Sequence, residues 1–183
     1  VSTTGQTLTM SGDVNVNGGG SGGSGLIVQG NLTLTGTVSL NNSPNSFNAL
    51  AVVTGGKLTT TGTVSNPQGN VVVQGGTLIV AGGTFTTNAI TALGNGGTGS
   101  VMTVSGGLFN QTNTGNPSGT LFLLGQVSAA TLNLDGGTFK TAVQLNTGSI
   151  AGNVLSFNGG TLQLGATLAN LVSTPANVAL TVN

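Results

Sequence analysis

Short stretches of alternating apolar and polar residues recur along the whole chain, and each stretch ends on glycine. The recurring order is apolar, polar, apolar, polar, Gly, usually a second Gly, any residue, then Leu or Phe. Seven copies run Leu8–Gly12, Leu26–Gly30, Ala51–Gly56, Val71–Gly76, Met102–Gly107, Leu132–Gly137 and Leu155–Gly160. Alternation with period two is what a strand shows when it buries one face; helical spacing is absent. The first glycines are Gly12, Gly30, Gly55, Gly75, Gly106, Gly136 and Gly159, with successive gaps of 18, 25, 20, 31, 30 and 23 residues. Their mean of about 24.5 suits one coil of a solenoid with loops of variable length.

Aligning the copies on these glycines predicts two columns. Ser11, Gln29, Thr54, Gln74, Ser105, Asp135 and Asn158 precede the glycine and should face solvent. One residue earlier, Met10, Val28, Val53, Val73, Val104, Leu134 and Phe157 should stack inside. After the glycines, Leu58, Leu78, Phe109, Phe139 and Leu162, with Leu32 joining them, predict a second inward strand. Gly-Gly fits the corner between the two strands, because it accepts positive φ and lets neighbouring coils approach. The expected fold is all-β, a right-handed parallel β-helix (β-solenoid) of about seven to eight coils. At roughly 4.8 Å per coil its core would be ~30 Å long. A β-sandwich would also show alternating strands and glycine turns, but it gives no reason for a repeated column identity.

Length allows one domain over 1–183 and no second. Within it, 18–25 has the Gly/Ser composition of a flexible linker, which would let 1–17 act as a separately docking first coil. Loops are expected at 41–48, 66–70, 95–100, 112–119 and 165–177, each rich in Gly, Asn, Pro or Ser. No capping segment stands out at either end: Thr7–Met10 already looks like a coil strand, and so does Val178–Val182. Open ends predict a piece of a longer rod, or copies stacked head to tail into an open filament. Val1 opens without the charged and apolar regions of a secretory leader, so the chain reads as a processed or partial polypeptide.

Charge changes the picture more than any other part of the composition. The four charged residues, Asp13, Lys57, Asp135 and Lys140, make up 2% of the chain and cancel, against roughly a quarter in an ordinary soluble domain. Such a surface offers no basic stripe for nucleic acid and no polybasic patch for anionic lipid, and no apolar run is long enough for membrane insertion. Abundant Ser, Thr, Asn and Gly with so little charge suggests an extracellular or cell-surface location.

His, Cys, Glu, Arg, Tyr and Trp are absent, which removes most general acids and bases, nucleophiles and metal ligands. The expectation is that the chain is not an enzyme, with no catalytic, cofactor-binding or metal-binding residue and no cofactor. Asp13 and Asp135 should lie five coils, or about 24 Å, apart, too far for a glycosidase pair at about 5 to 9.5 Å. Calcium has at most one carboxylate per site here. Gly94–Gly99 and Gly18–Gly23 match G-x-G-x-x-G, but neither leads into a helix pattern or an acidic residue. Asp135 and Lys140 flank one corner and are expected to pair there, a surface contact worth ~0–1 kcal/mol. Phe85, Phe109, Phe122, Phe139 and Phe157 read as core, and Phe47 as a loop residue. Asn31-Leu32-Thr33, Asn41-Asn42-Ser43 and Asn110-Gln111-Thr112 fit the glycosylation pattern, a coincidence to be expected in a chain this rich in Asn and Thr.

The stretch Phe157-Asn158-Gly159-Gly160-Thr161-Leu162-Gln163-Leu164-Gly165 resembles the autotransporter-associated β-strand repeat of bacterial surface passengers, with echoes at Gly75–Leu78 and Gly136–Phe139. The resemblance implies a bacterial exported β-helix that acts in display, adhesion or matrix building. The expected function is therefore an extracellular structural protein whose copies stack head to tail into a surface fibre or matrix. Surface or matrix glycans are a further class of partner. One alternative is a passenger fragment of an autotransporter-type adhesin. Another is an ice-binding β-solenoid, which needs outward Thr in register. Two residues past the first glycine stand Lys57, Thr77, Leu108, Thr138 and Thr161, which looks too irregular for that role.

Overall fold

The structure is a computed structural model that describes residues 5–18, 25–42, 48–112, 122–147 and 149–183. The strands follow one another as the sides of a triangular coil. The first coil contains β1 (Thr7–Met10), β2 (Val14–Gly18) and β3 (Leu26–Val28), and the second β4 (Asn31–Leu34), β5 (Thr37–Asn42) and β6 (Asn48–Val53). The third contains β7 (Lys57–Thr60), β8 (Thr63–Gln68) and β9 (Asn70–Gln74), and the fourth β10 (Thr77–Val80), β11 (Thr84–Thr87) and β12 (Thr91–Leu93). The fifth is β13 (Ser100–Val104), β14 (Leu108–Gln111) and β15 (Phe122–Leu124), and the sixth β16 (Ala130–Leu134), β17 (Thr138–Thr141) and β18 (Leu145–Asn146). Beyond them come β19 (Asn153–Phe157), β20 (Thr161–Leu164), a single 3-10 turn at Pro175–Asn177, and β21 (Val178–Val182).

Three parallel sheets result, with eight, seven and six strands. Face 1 stacks β1, β4, β7, β10, β13, β16, β19 and β21; face 2 runs from β2 to β20; face 3 runs from β3 to β18. The molecule is thus a β-solenoid of six complete three-sided turns with a partial seventh. That is slightly fewer turns than the glycine spacing suggested, because the third side of the seventh turn is an isolated bridge and not a strand. Val172 bridges Leu145 to supply the third side of the seventh turn, and β21 starts an eighth on face 1 alone.

Each coil is held to the next by backbone bonds between neighbouring rungs. At the corner joining faces 1 and 2, the amides of Thr35, Thr61, Ala81, Ser105, Asp135, Asn158 and Asn183 donate to carbonyls of Met10, Leu34, Thr60, Val80, Val104, Leu134 and Phe157 at 2.8–3.0 Å. Glycine is needed at this corner for closeness of approach. A Cβ on Gly62 would meet the carbonyl oxygens of Gly36 and Thr35, and one on Gly107 would meet that of Gly82.

The inward columns differ from those obtained by aligning the glycines. Val28, Val53, Val73 and Val104 do not form one stack. Val28 and Val73 lie on face 3, in the column Val28, Val52, Val73, Leu93, Leu124, and Val53 sits opposite Gln74 at the rim of that face. Val104 belongs to face 1, in the column Met10, Leu34, Thr60, Val80, Val104, Leu134, Phe157, Val182. The strand after the corner divides likewise: Leu32, Leu58 and Leu78 are on face 1, while Phe109, Phe139 and Leu162 are on face 2. The copies at Gly30, Gly55 and Gly75 turn from face 3 to face 1, and the other four turn from face 1 to face 2. Both corners obey the same local rule, an alternating strand followed by a sharp bend, so their sequences look alike. The outlying gaps of 18 and 31 residues are where the alignment crosses from one corner to the other.

Burial agrees with the alternation even where the column differs. Leu32, Leu58, Leu78, Phe109 and Phe139 are fully buried, whereas the residues before the glycines are exposed or partly so. Phe85, Phe109 and Phe139 stack along face 2 with ring centroids 5.5 and 5.2 Å apart, and Phe122 meets Phe109 and Phe139 edge-on from face 3. Phe157 is partly buried on face 1, and Phe47 lies outside the described residues.

One expected irregular region needs correction. Asn66 is not in a loop: it is buried in β8, and only Gly69, at φ 85°, separates β8 from β9. In the first coil, β1, β2 and β3 pair with β4, β5 and β6. Most of the Gly/Ser stretch at 18–25 lies outside the described residues, as do most of the loops expected at 41–48 and 112–119.

Candidate functional site

The four charged side chains are dispersed. Asp13 is exposed at the corner of the first coil and Asp135 at the corresponding corner of the sixth, so the carboxylates stand about 24 Å apart along the rod. Asp135 accepts a hydrogen bond from Asn158 Nδ2 at 2.8 Å, and Asn158 Oδ1 accepts one from Asn183 Nδ2 at 2.7 Å. The expected partnership with Lys140 is thus replaced by an amide file climbing the corner. Lys140 projects from face 2 between Asn110 and Gln163, and Lys57 from face 1 between Asn31 and Thr77. Among the described residues no three metal-ligating side chains gather, and no helix is long and apolar enough to cross a membrane. Gly94–Gly99 forms the turn from β12 into the strand β13, with no helix to receive a phosphate.

Polar side chains also meet inside the rod, at the inner end of face 2. Asn66, Thr87, Gln111 and Thr141 occupy successive rungs there and are fully buried. Asn66 Nδ2 donates to the Gly69 carbonyl at 3.0 Å and to Thr87 Oγ1 at 3.2 Å. Gln111 Nε2 donates to the Ala89 carbonyl at 2.7 Å, and Gln111 Oε1 accepts from the Thr91 hydroxyl at 3.2 Å. Thr141 closes a local turn by donating to the Val143 carbonyl and accepting from its amide. These bonds answer the chain's own backbone and one another, and Asn66 Oδ1 alone among the described buried side-chain polar atoms has no partner. A surface hollow of about 380 Å³ beside Val53, Thr54, Gln74 and Asn95 has hydroxyl and amide walls without an acid, base or aromatic ring.

Outward rows become visible only in the true register. On face 2 one row reads Thr37, Thr63, Thr84, Leu108, Thr138, Thr161. On face 1 a second reads Thr9, Thr33, Thr59, Ile79, Thr103, Asn133, Ser156, Thr181. The row derived from the glycine alignment had mixed the two faces, taking Lys57 and Thr77 from face 1 and Leu108, Thr138 and Thr161 from face 2. Thr-x-Thr-Gly-Thr spacing within single coils, as in Thr33-Leu34-Thr35-Gly36-Thr37 and Thr59-Thr60-Thr61-Gly62-Thr63, was the signal that could have found the rows.

The outermost described strands carry exposed apolar residues in columns that run inward elsewhere. Leu8 is 39% exposed at one end, and Leu164, Leu180 and Val182 are 48%, 63% and 73% exposed at the other. Beneath β21 a hollow of about 270 Å³ is walled mainly by Leu155, Phe157, Leu171, Val172, Val178 and Leu180.

No protein family, curated protein or solved structure matches the chain.

Proposed function

We propose that this chain is an extracellular structural subunit whose copies stack end to end into a fibre or matrix at a bacterial surface. The observation that carries this reading is the continuous register of the three parallel sheets, in which each coil offers the next the same backbone edge and the same inward columns. A further coil is the surface whose shape, hydrogen-bonding edge and side-chain spacing fit best. Two charges of each sign leave little electrostatic repulsion to keep copies apart. The likeness of 157–165 to passenger repeats supports the surface location and leaves an adhesin passenger as the nearest relative of this reading. Sedimentation velocity and electron microscopy of the purified chain test it: fibres that lengthen with concentration are expected. Single rods of ~30 Å core length at every concentration would overturn it.

The threonine row on face 2 favours a second reading, adsorption to ice. Hydroxyl and methyl groups repeat there every ~4.8 Å on a regular parallel sheet, with Leu108 the one interruption between Thr37 and Thr161. Thermal hysteresis that vanishes in Thr63→Lys is the expected result, and its absence from the unaltered chain removes the reading.

A further inference from the structure

Asparagine followed by glycine is the dipeptide in which a backbone amide most readily attacks a side-chain amide, because glycine leaves the nitrogen unshielded and the backbone free to turn. The chain holds three such pairs, Asn17-Gly18, Asn95-Gly96 and Asn158-Gly159, each followed by a second glycine. Their local sequences are alike, and the solenoid sets each in a different environment. We propose that Asn95-Gly96 is a self-modification site, where the folded rod converts one side-chain amide into a carboxylate while the fold protects the other two pairs.

Asn17-Gly18 lies inside β2, with its backbone in register with Asn41 and Asn42 of β5. Turning it toward an imide breaks sheet pairing. Asn158-Gly159 bends from face 1 to face 2, and there the side chain is held: its Nδ2 donates to Asp135 at 2.8 Å and its Oδ1 accepts from Asn183 at 2.7 Å. Reaction breaks both bonds and sets a second carboxylate against Asp135. Asn95-Gly96 lies instead in the turn from β12 to β13. Ser128 Oγ donates to the carbonyls of Gly94 and Gly97, which fixes the two feet of that turn, and a Cβ on Gly97 would run into the Gln74 carbonyl. Between the feet nothing holds the chain. Gly96 is exposed, at φ 104°, with nothing within 4 Å of where a side chain would start. Among the described residues its amide donates to no backbone carbonyl, and the Asn95 side chain has no hydrogen-bond partner.

The Gly96 nitrogen attacks Cγ of Asn95 and closes a cyclic imide. The bond from Cγ to Nδ2 breaks, and the proton lost by the Gly96 nitrogen is made up, through solvent, on the departing ammonia. Water then opens the imide at one of its two carbonyls, leaving aspartate or isoaspartate; nothing is oxidised or reduced. The new carboxylate stands at the hollow of about 380 Å³ beside Thr54 and Gln74, where no acid stood before. Because two lysines balance two aspartates, one such event carries the net charge from zero to minus one, and each rod acquires repulsion that the fresh chain lacks. Charge thereby records age, whether or not copies stack.

Incubation of the purified chain in mildly alkaline buffer, where the attacking nitrogen loses its proton more easily, followed by isoelectric focusing and peptide mass mapping, tests the assignment. One more acidic species should accumulate, with the amide-to-acid mass change and isoaspartate confined to the peptide carrying Asn95. Asn158 should react at least about tenfold more slowly, a difference of ~1.4 kcal/mol, which one hydrogen bond to a charged acceptor suffices to supply. Unfolding in urea should erase the contrast, so that all three pairs react alike. Asn95→Gln, whose longer side chain has to close a larger ring, should lose the acidic species, and Asn158→Gln should keep it, with circular dichroism verifying the sheets of both. Reaction that begins at Asn17 or Asn158, equal rates at the three pairs in the folded chain, an acidic species that survives Asn95→Gln, or no acidic species at all overturns the assignment.

Discussion

Phe109 touches Phe85 on the rung below and Phe139 on the rung above, with Phe122 edge-on to its ring. It is fully buried, so Phe109→Ala removes a ring that its neighbours cannot replace without moving whole strands. The expected cost is about 3–5 kcal/mol, read as a lower urea midpoint. Glycines at the corner joining faces 1 and 2 are equally position-dependent. Gly62→Ala drives a methyl group into the backbone of Gly36 and Thr35 and should cost about 1–3 kcal/mol. Gly12→Ala meets nothing within 4 Å and should stay within about 0.5 kcal/mol of the unaltered chain. Matched denaturation curves for the two variants check the contrast.

At the scale of a strand, β8, β11, β14 and β17 share a feature that alternation alone would not suggest. Their inner ends carry Asn66, Thr87, Gln111 and Thr141, which are polar yet dry. Gln111→Leu keeps the volume but deprives the Ala89 carbonyl and the Thr91 hydroxyl of their partner, at roughly 1–3 kcal/mol for each group left unsatisfied. Equilibrium unfolding of Gln111→Leu beside Gln111→Ala separates the polar loss from the loss of packing. These strands were only partly legible in the sequence. Val64, Phe85, Phe109 and Phe139 announce an inward side, but Asn66-Pro67 has the composition of a turn. What places Asn66 inside is its bond to Thr87, 21 residues away, and no local pattern encodes that contact.

For the whole molecule, a solenoid follows from period-two strands recurring once per coil, and the sequence carries that signal from Leu8 to Leu164. The number of faces was not legible, because a bend from face 3 to face 1 and a bend from face 1 to face 2 both ask for glycine after an alternating strand. Treating them as one corner put Val28 and Val104 in a common stack and hid the threonine rows. That β21 continues face 1 beside β19 depends on long-range strand pairing and became visible only in three dimensions. Leu180→Asp places a charge in the end column, and the expected outcome is a shift from fibres to monomers in sedimentation velocity, with circular dichroism unchanged.

The ring stack of Phe85, Phe109 and Phe139 also bears on how such a rod comes apart. Each coil leans only on its neighbours, so melting can start wherever a rung has one neighbour instead of two. Amide protons of β1, β2, β20 and β21 should exchange with deuterium soonest, and protection should rise inward to a maximum around β14. The aromatic rungs would then act as the knot from which both halves fray, and as the seed on which they regrow.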